Sequence, residues 1–523
     1  MKAIRFALFC FVGGAPIIAA KEPVFPFELQ PAISSSSGEI DTLVFEKLRK
    51  LGIQPAFPCS DAVFIRRVYI DVIGTLPTRE ETLKFLADKA SNKRARLIDQ
   101  LLERNEFADY WGMKWCDLLR VKAEFPVNLW PKAAMAYDRW IRDSIRGNMP
   151  FSTFARKILT ASGSNFREPE VNFYRSAGSH DQKAIVKAVA LTFMGERAEK
   201  WPPEKINDME VFFSRIAFKS TDEWKEEIVL FNGFDRPSWN TKTAKLPDGS
   251  TVRLPADKDP RVIFADWLIS SGNSPFASNA VNRVWYWLMG RGIVQPPDDN
   301  RPDNPPSNQK LLAYLSRELI SAHYDMKHIF RLILNSDAYQ LSYIPATNDP
   351  RGADNFAFHP LRRMEAEVLI DAINQITGGK EDYSSITPEP YTFLPEKTRA
   401  IRVPDGSISS AFLDLFGRPP RDTGLLSERN DRPTAAQRLH LLNSVHIHAK
   451  IMKSEKLRTL IASKEKPEEL AAKLYLTILS RYPTKDELAV LNTYSKSAEV
   501  KGLQVWYDLA WALMNGSEFL YRH

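Results

Sequence analysis

A helical pattern that recurs near both ends of the chain most constrains its fold. Residues 68–85 read VYIDVIGTLPTREETLKF, and residues 474–491 read LYLTILSRYPTKDELAVL. In each copy a Pro-Thr pair is followed three residues after the Thr by a Glu, which is typical of a capped helix start. A second signature follows, LLERNEF at 101–107 and LMNGSEF at 513–519. The repeat predicts a helical hairpin whose closing aromatic residue packs under the turn, although a generic helix cap would also give the Pro-Thr pattern.

A third, looser copy and the spacing of apolar residues extend this prediction over the chain. Pro306-Ser307 would open the third hairpin, and ILNSDAY at 333–339 would close it. Apolar residues recur at helical spacing from Ile40 onward. The exception is residues 242–254, where two short runs flank Asp-Gly and predict a β-hairpin. The expected fold is mostly α, with two helical domains built partly from helical hairpins and a small β-hairpin between them.

The domain organisation follows from these patterns. The sequence predicts a signal peptide at 1–20 and a flexible, Ser-rich linker at 21–38. A helical domain is expected at 39–231, the β-hairpin linker at 232–259 and a second helical domain at 260–523.

The first residues predict export. Lys2 and Arg5 precede a short apolar run at 6–12, and Ala19-Ala20 offers a small-residue cleavage site. The apolar run is too short to span a bilayer. The mature chain is therefore expected to begin near Lys21 and to be secreted or periplasmic, without a membrane span.

Charge and cysteine content set further bounds. The formal charge is +7, but Lys and Arg are interleaved with acidic residues along the chain. A nucleic-acid binder would instead show a basic stripe with stacking aromatic residues, so we expect no nucleic-acid partner. Cys59 and Cys116 remain after signal cleavage, either as a disulfide or as two buried apolar residues.

A loop rich in Asp, Arg and Pro is the first candidate site. Residues 279–306 read NAVNRVWYWLMGRGIVQPPDDNRPDNPP, an apolar helix followed by a charged loop. Its carboxylates, Asp298, Asp299 and Asp303, would bind a hard cation or a sugar. Alternatively, they pair with Arg301 and its neighbours in an ion-paired loop stiffened by proline.

Arg418 and Arg421 form a second candidate site on a proline-rigid loop, FGRPPRD at 416–422. Two guanidinium groups at a fixed separation suit a carboxylate, sulfate or phosphate ligand. The alternative is a clamp inside the fold that binds the protein's own carboxylates.

Two histidine-containing constellations complete the set of candidates. His359 and Glu365 would form an acid–base pair, or else belong to a charged helix face with a neighbouring cap. His440 with Glu428 would contribute to a zinc site, which needs further ligands; independent histidines are the alternative. On balance the sequence predicts no bound metal.

Three sequence blocks carry a family resemblance. The loop at 279–306, RRVYIDVIGTLPT at 66–78 and FGRPPRDTG at 416–424 are together similar to a secreted two-domain family of planctomycetes. Its N-terminal half is a cytochrome-C-like second domain and its C-terminal half is a planctomycete-specific domain, both of unknown function. The resemblance also offers a secreted sulfatase-like protein as a partner.

The chain departs from this family where many members carry a haem motif. Those members have Cys-x-x-Cys-His, whose thiols and imidazole hold a haem. The corresponding residues 193–205 read FMGERAEKWPPEK, without Cys or His. Many relatives also carry Cys-x-Cys where this chain has Leu425 and Ser427. We therefore expect no covalent haem and no cofactor.

Two functions remain after these exclusions. The first is a binding or scaffold module without haem, acting with an envelope or polysaccharide-processing partner or on polysaccharide itself. The second is a hydrolase of polysaccharide or sulfated glycan that uses a carboxylate pair from 298–303 or from 365–367. Two carboxylates about 5–10 Å apart in an open cleft would favour the hydrolase. Carboxylates that are each capped by Arg would favour the scaffold.

Overall fold

The computed structural model describes residues 24–29, 38–233, 242–270, 272, 274–463, 465–496 and 502–523. The predicted signal peptide, most of the linker at 21–38 and residues 234–241 of the hairpin segment lie outside these ranges. In the described part, the prediction of a mostly α fold is confirmed. None of the helices described there is both long enough and apolar enough to cross a membrane.

Helices with buried apolar faces make up the first half of the chain. In chain order they are α1 (Glu39–Leu51), α2 (Asp61–Ile73), α3 (Arg79–Ala87), α4 (Lys93–Leu102), α5 (Asn105–Leu118), α6 (Pro131–Arg146), α7 (Phe151–Thr160), α8 (Asn172–Arg175), α9 (Gln182–Val189) and α10 (Pro203–Phe213). A π-helical turn at Ala190–Met194 extends α9.

The second half is also helical, with long loops between some of its helices. Its helices are α11 (Pro260–Leu268), α12 (Ser274–Met289), α13 (Gln309–Ser321), α14 (Met326–Asn335), α15 (Arg351–Asp354), α16 (Ala366–Thr377), α17 (Ala411–Leu415), α18 (Ala435–Asn443), α19 (Val445–Met452), α20 (Glu455–Ile461), α21 (Pro467–Leu479), α22 (Lys485–Ser495), α23 (Gln504–Asn515) and α24 (Ser517–Leu520).

In the described part of the chain, three small antiparallel sheets accompany the helices. Their strands are β1 (Gly163–Ser164), β2 (Ile216–Ser220), β3 (Glu227–Phe231), β4 (Lys242–Lys245), β5 (Thr251–Leu254), β6 (Arg362–Arg363) and β7 (Tyr521–Arg522). The first sheet has the order β1-β3-β2, with Ala217 opposite Leu230. Strands β4 and β5 form a hairpin at the residues where the sequence predicts one, with Ala244 opposite Val252. The other two sheets were not predicted, because each needs a strand or bridge distant in sequence.

The Pro-Thr pairs of the first and last copies of the repeat each lie at the start of a helix. Thr78 and Thr484 each cap a helix, α3 and α22, in a reciprocal capping box with the Glu three residues later. The closing aromatic residues Phe107 and Phe519 are both buried. The third copy differs, because its helix α13 is capped by the side chain of Asn308, which accepts from the Leu311 N–H. The Pro-Ser pair therefore lies before the cap.

The two halves of the chain pack against each other. Arg66 on α2 donates to the carbonyl of Ile478 at 2.8 Å and of Phe519 at 3.0 Å, so the first repeat binds the last. Aromatic rings of α5, α12 and α14 also meet, with the Trp111 ring 5.3 Å from that of Trp287 and 4.4 Å from that of Phe330. The hydrophobic core thus draws on both halves. Division into domains at 232–259 stays a prediction.

Cys59 and Cys116, the cysteines within the described ranges, are buried and do not form a disulfide with each other, so they match the alternative of small apolar residues. The Cys116 thiol lies 3.4 Å from a carboxylate oxygen of Asp138. Burial, together with that carboxylate, raises the pKa of the Cys116 thiol and keeps it protonated.

Candidate functional site

A buried ionic network lies where helix α5 faces the start of α16. Lys114 and Asp117 stand three residues apart on α5, so they share one face of the helix. Glu365 precedes α16 and Glu367 lies in its first turn, where the helix dipole favours negative charge. All four side chains are at most 13% exposed. One cation and three carboxylates are therefore held between the two halves of the chain.

Glu365 is the centre of the first part of this network. Its carboxylate accepts from the Tyr110 hydroxyl at 2.8 Å and contacts both Lys114 and Arg522. Arg522 also binds Asp71 at 3.0 Å. Burial opposes ionisation of Glu365, but the charges of Arg522 and Lys114 outweigh it and hold the pKa of Glu365 well below its usual range. Glu365 is thus an ionised partner of two cations, unsuited to serve as a general acid.

Glu367 and Asp117 form the second part, which contains the predicted arginine pair. Arg429 bridges them, donating to Glu367 at 2.6 Å and to Asp117 at 2.7 Å. Arg421 binds Asp117 at 2.9 Å, and Arg418 lies 3.6 Å from Glu367. Both guanidinium groups also donate to backbone carbonyl oxygens of the 404–408 loop. The geometry matches the clamp alternative for this pair.

The Asp-rich loop is paired throughout. Asp298 accepts from Arg283 at 3.2 Å and from the Leu426 N–H at 2.7 Å. Arg301 lies between Asp299, at 2.8 Å, and Asp303, at 3.0 Å. Lys200 binds Asp299 as well, at 2.9 Å. This arrangement corresponds to the ion-paired, proline-stiffened alternative.

His359 and Glu365 do not form a hydrogen-bonded pair. Neither ring nitrogen of His359 has a hydrogen-bond partner among the described residues, and the ring packs edge-on against Tyr339 with the centroids 5.4 Å apart. Burial and the nearby charge of Arg67 lower the pKa of His359 well below its usual value. The imidazole is therefore neutral and packed as an aromatic residue.

His440 and Glu428 contact different groups. The His440 ring nitrogen lies 3.4 Å from His446, which in turn lies 3.0 Å from Glu381. The Glu428 carboxylate accepts instead from the backbone N–H groups of Asp422, at 3.0 Å, and Thr423, at 2.9 Å. Glu428 thus orders its own loop, and the zinc set proposed from the sequence is not assembled around it.

Sequence reasoning missed the cations and acids that complete the network. They are Asp71, Lys114, Asp117, Arg429 and Arg522. One signal was present: Lys114 and Asp117 interrupt a helix whose other residues are mostly aromatic or apolar, DYWGMKWCDLL. A charged residue on such an apolar helix face needs a partner of opposite charge when it is buried, so these two residues predict a buried ion pair.

The residues at 193–205 do not fit a covalent haem. Covalent attachment needs Cys thiols and the motif's axial ligand is a His, and this segment has neither Cys nor His. Its polar groups serve the fold instead. The Gly195 carbonyl accepts from the Asn300 N–H at 2.8 Å, and Glu196 accepts from the Trp201 indole at 2.7 Å. The segment therefore supports the Asp-rich loop.

The fold and the ionic network define the class of the protein: it is mostly α-helical, and buried ion pairs join the N-terminal and C-terminal halves of the chain. Residues 39–204 match the PSCyt2 family model, a protein of unknown function (DUF1549), and residues 260–495 match the PSD1 model, a protein of unknown function (DUF1553). The chain belongs to the two-domain family in which these models follow one another in that order. No curated protein and no solved structure shows significant similarity to it.

Proposed function

We propose that this chain is an exported, non-haem binding module that recognises polysaccharide through an exposed cluster of aromatic rings. The observation that carries the proposal is the cluster itself, formed by Trp130, Trp224 and Tyr391. Export follows from the predicted signal peptide at 1–20. The pairing of Asp298, Asp299, Asp303, Glu365 and Glu367 with cations supports binding in preference to hydrolysis, since none of these carboxylates is free to act on a substrate.

The three rings touch one another at the surface. The Trp130 ring centroid lies 4.5 Å from that of Trp224 and 5.5 Å from that of Tyr391. Trp224 and Tyr391 are 5.8 Å apart and remain 59% and 47% exposed. Large aromatic residues bury most of their area in an ordinary fold, so two exposed rings against the half-buried Trp130 mark an interaction surface.

Different parts of the chain supply each ring. Trp130 caps the start of α6, Trp224 lies in the β2–β3 connection, and Tyr391 lies in the long loop after α16. The Glu124 carboxylate accepts from the Thr387 N–H at 3.1 Å and so ties two of these loops together. The cluster is thus positioned by contacts outside the rings.

The backbone at this surface is held in costly conformations. Trp130 has φ of +71° and Lys225, beside Trp224, has φ of +62°. Bulky residues rarely adopt this region, and such strain concentrates at functional positions. Phe125 and Phe393, on the same loops as Trp130 and Tyr391, are 81% and 60% exposed. These two exposed rings are further candidates for contact with a chain of sugar rings.

Sugar rings present C–H faces that stack on indole and phenol rings, while their hydroxyl groups bind neighbouring polar side chains. Lys225 supplies such a group, with its ammonium 5.6 Å from the Trp130 ring. A surface of this kind suits a polysaccharide that is recognised without being cleaved. A protein partner, such as the secreted sulfatase-like protein that the family resemblance offers, is the competing occupant and is distinguished by experiment.

Affinity electrophoresis on a panel of neutral and anionic polysaccharides tests the proposal. We expect at least one to retard the protein, with Trp224→Ala and Tyr391→Ala each weakening binding about two- to tenfold, the scale of one aromatic contact. Tyr482→Ala is the matched control, because Tyr482 is 53% exposed and lies outside the cluster. Unchanged binding by the two cluster variants would contradict the proposal. So would capture of a sulfatase-like protein through the same rings without any retardation by polysaccharide.

A further inference from the structure

A cavity of about 810 Å³ lies between helix α9, the 197–200 segment and the 422–425 loop. Its wall carries five cationic residues, Arg120, Lys183, Lys187, Arg197 and Lys200. Three acidic residues, Asp181, Glu199 and Asp422, also line it. The remaining lining is formed mostly by small residues, so charged side chains are the main groups in the cavity that can bind a ligand.

The acidic residues of the wall are already engaged. Asp422 pairs with Lys122 at 2.6 Å, outside the lining. The Asp181 side chain accepts from the Ala184 N–H at 2.8 Å and caps α9. Glu199 lies 3.9 Å from Lys187.

One of the cationic residues is engaged elsewhere as well. Lys200 binds Asp299 at 2.9 Å. Arg120, Arg197 and Lys183 therefore form no ion pair with these acids, and the more distant charge of Glu428 is the one that acts on Arg120.

Two of these cations are held without partners. Within the described residues, the guanidinium groups of Arg120 and Arg197 form neither a hydrogen bond nor an ion pair, and the Arg197 Nε is buried. A guanidinium group withdrawn from water without a partner is costly to the fold. Arg429, a structural arginine of this chain, is instead bound by the carboxylates of Asp117 and Glu367. The contrast points to a ligand as the missing partner.

Arg120 is fixed in place by its surroundings. It follows α5 directly and has φ of +54°, in the left-handed region. The 422–425 loop approaches so closely that a Cβ at Gly424 would lie 2.6 Å from the Leu118 carbonyl oxygen. Burial lowers the pKa of Arg120 to about 10, so the group is still charged at neutral pH. A charged donor carried on a fixed backbone loses less entropy when it binds an anion than one on a mobile loop.

We propose that this cavity binds a small molecule bearing a sulfate or phosphate ester, whose oxyanion accepts hydrogen bonds from Arg120 and Arg197 with Lys183 adding charge. Guanidinium groups bind such oxygens in charge-assisted, often bidentate pairs. The volume lies in the range of organic ligand sites, about 300–1,000 Å³, and exceeds that of a bare ion. This inference does not depend on the aromatic cluster and describes a second site.

Calorimetric titration of the full chain at low salt tests the site. The probes are a glucose sulfate ester, the corresponding glucose phosphate, inorganic sulfate, inorganic phosphate and free glucose. We expect at least one ester to bind, more tightly than its inorganic ion and than glucose, with affinity falling as salt is added. A preference between the two esters identifies the source of the oxyanion. Absence of binding by both esters at millimolar concentration, or equal binding of glucose, overturns the proposal.

Arg120→Gln and Arg197→Gln localise the binding. Each should weaken ester binding about tenfold to a hundredfold, the scale of a charged hydrogen bond. Arg253→Gln is the matched control, because Arg253 is exposed on β5 and does not line the cavity. Without ligand, Arg120→Gln should keep or raise the melting temperature, since it removes a cation that has no partner. Unchanged affinity in both variants, or a lowered melting temperature with unchanged affinity, overturns the assignment.

Discussion

At the scale of single residues, Arg421 illustrates how this chain uses buried charge. Its side chain is 0% exposed and binds Asp117, with further hydrogen bonds to the carbonyl oxygens of Val121 and Pro404. A buried ion pair adds little net stability over an apolar replacement, because both charges must leave water. Removing one partner is different, since the other charge then stays buried and uncompensated.

Arg421→Ala is therefore expected to destabilise the protein by about 3–5 kcal/mol. Urea denaturation and thermal melting would measure this loss. Arg458→Ala is the control, because Arg458 pairs with Glu455 at the surface, where both side chains are more than half exposed, and its loss should leave the melting temperature nearly unchanged. Equal stability of Arg421→Ala and wild type would mean that the network contributes nothing to folding.

Two buried histidines predict how stability depends on pH. Burial and nearby arginines lower the pKa of His359 well below its usual value and that of His523 to about 3. In the unfolded chain both titrate near a pKa of about 6.5. Below that pH the unfolded state binds more protons than the folded state, so stability falls as pH decreases. Each histidine contributes a slope of up to about 1.4 kcal/mol per pH unit.

His359→Phe should remove one of these two slopes while keeping a ring against Tyr339. The free energy of unfolding, measured in urea between about pH 7 and pH 5, should then decline less steeply than in wild type, by about 1 kcal/mol per pH unit on average over this range. His448→Phe changes an exposed histidine and should leave the slope as in wild type. An identical slope in His359→Phe would show that His359 does not stay neutral in the folded protein.

At the scale of helices and strands, elements that depend on a few consecutive residues are predicted from the sequence better than contacts between distant segments. The capping boxes at Thr78 and Thr484 need only four consecutive residues, and both form. The β4–β5 hairpin likewise follows from a short segment around Asp-Gly. Local chemistry decides these elements, so they are readable without knowledge of the rest of the fold.

Each copy of the repeat also contains an arginine bound by two acidic residues, and this contact is not evident from the sequence. In the first copy Arg104 binds the capping-box Glu81 at 2.8 Å and the closing acid Glu106 at 2.6 Å. In the second copy Arg481 binds the equivalent acids Glu487 and Glu518, at 2.8 Å and 2.6 Å. The two arginines occupy different places in the repeat. The hairpin thus has a cation between its two acidic residues. The arginine that provides it stands at a different position in each copy, Arg104 in the first and Arg481 in the second.

Contacts between distant segments were beyond sequence reasoning. Asp117 and Arg421 are separated by 304 positions, and Glu365 and Arg522 by 157. Which of many surface-like charges becomes buried depends on how the helices pack, and one sequence does not specify that. For the same reason Arg418 and Arg421 were identified as important while their ligand or clamp role stayed open until Asp117 and Glu367 were placed.

At the scale of the whole molecule, residues 232–259 separate the two predicted domains in sequence, but contacts between residues on either side of this segment join the two halves in the fold. Ion pairs between Lys114 and Glu365 and between Asp117 and Arg421 connect the two halves. Arg66 of the first repeat binds carbonyl oxygens in the last, and core aromatic residues of both halves meet. Each half on its own would expose buried charges as well as apolar surface.

Cleavage of the chain between the halves should therefore leave them associated. A specific protease site inserted in the exposed β4–β5 turn, between Asp248 and Gly249, places the cut in a polar connection that tolerates insertion. After complete cleavage, the two fragments should co-elute on native gel filtration and separate only in denaturant, because separation would leave Asp117 without Arg421 and Arg429 and would part Lys114 from Glu365. Arg421→Ala in the cleaved protein should lower the denaturant concentration at which the fragments part, whereas Arg458→Ala should not. Fragments that elute separately and remain folded would show instead that 39–231 and 260–523 are independent domains.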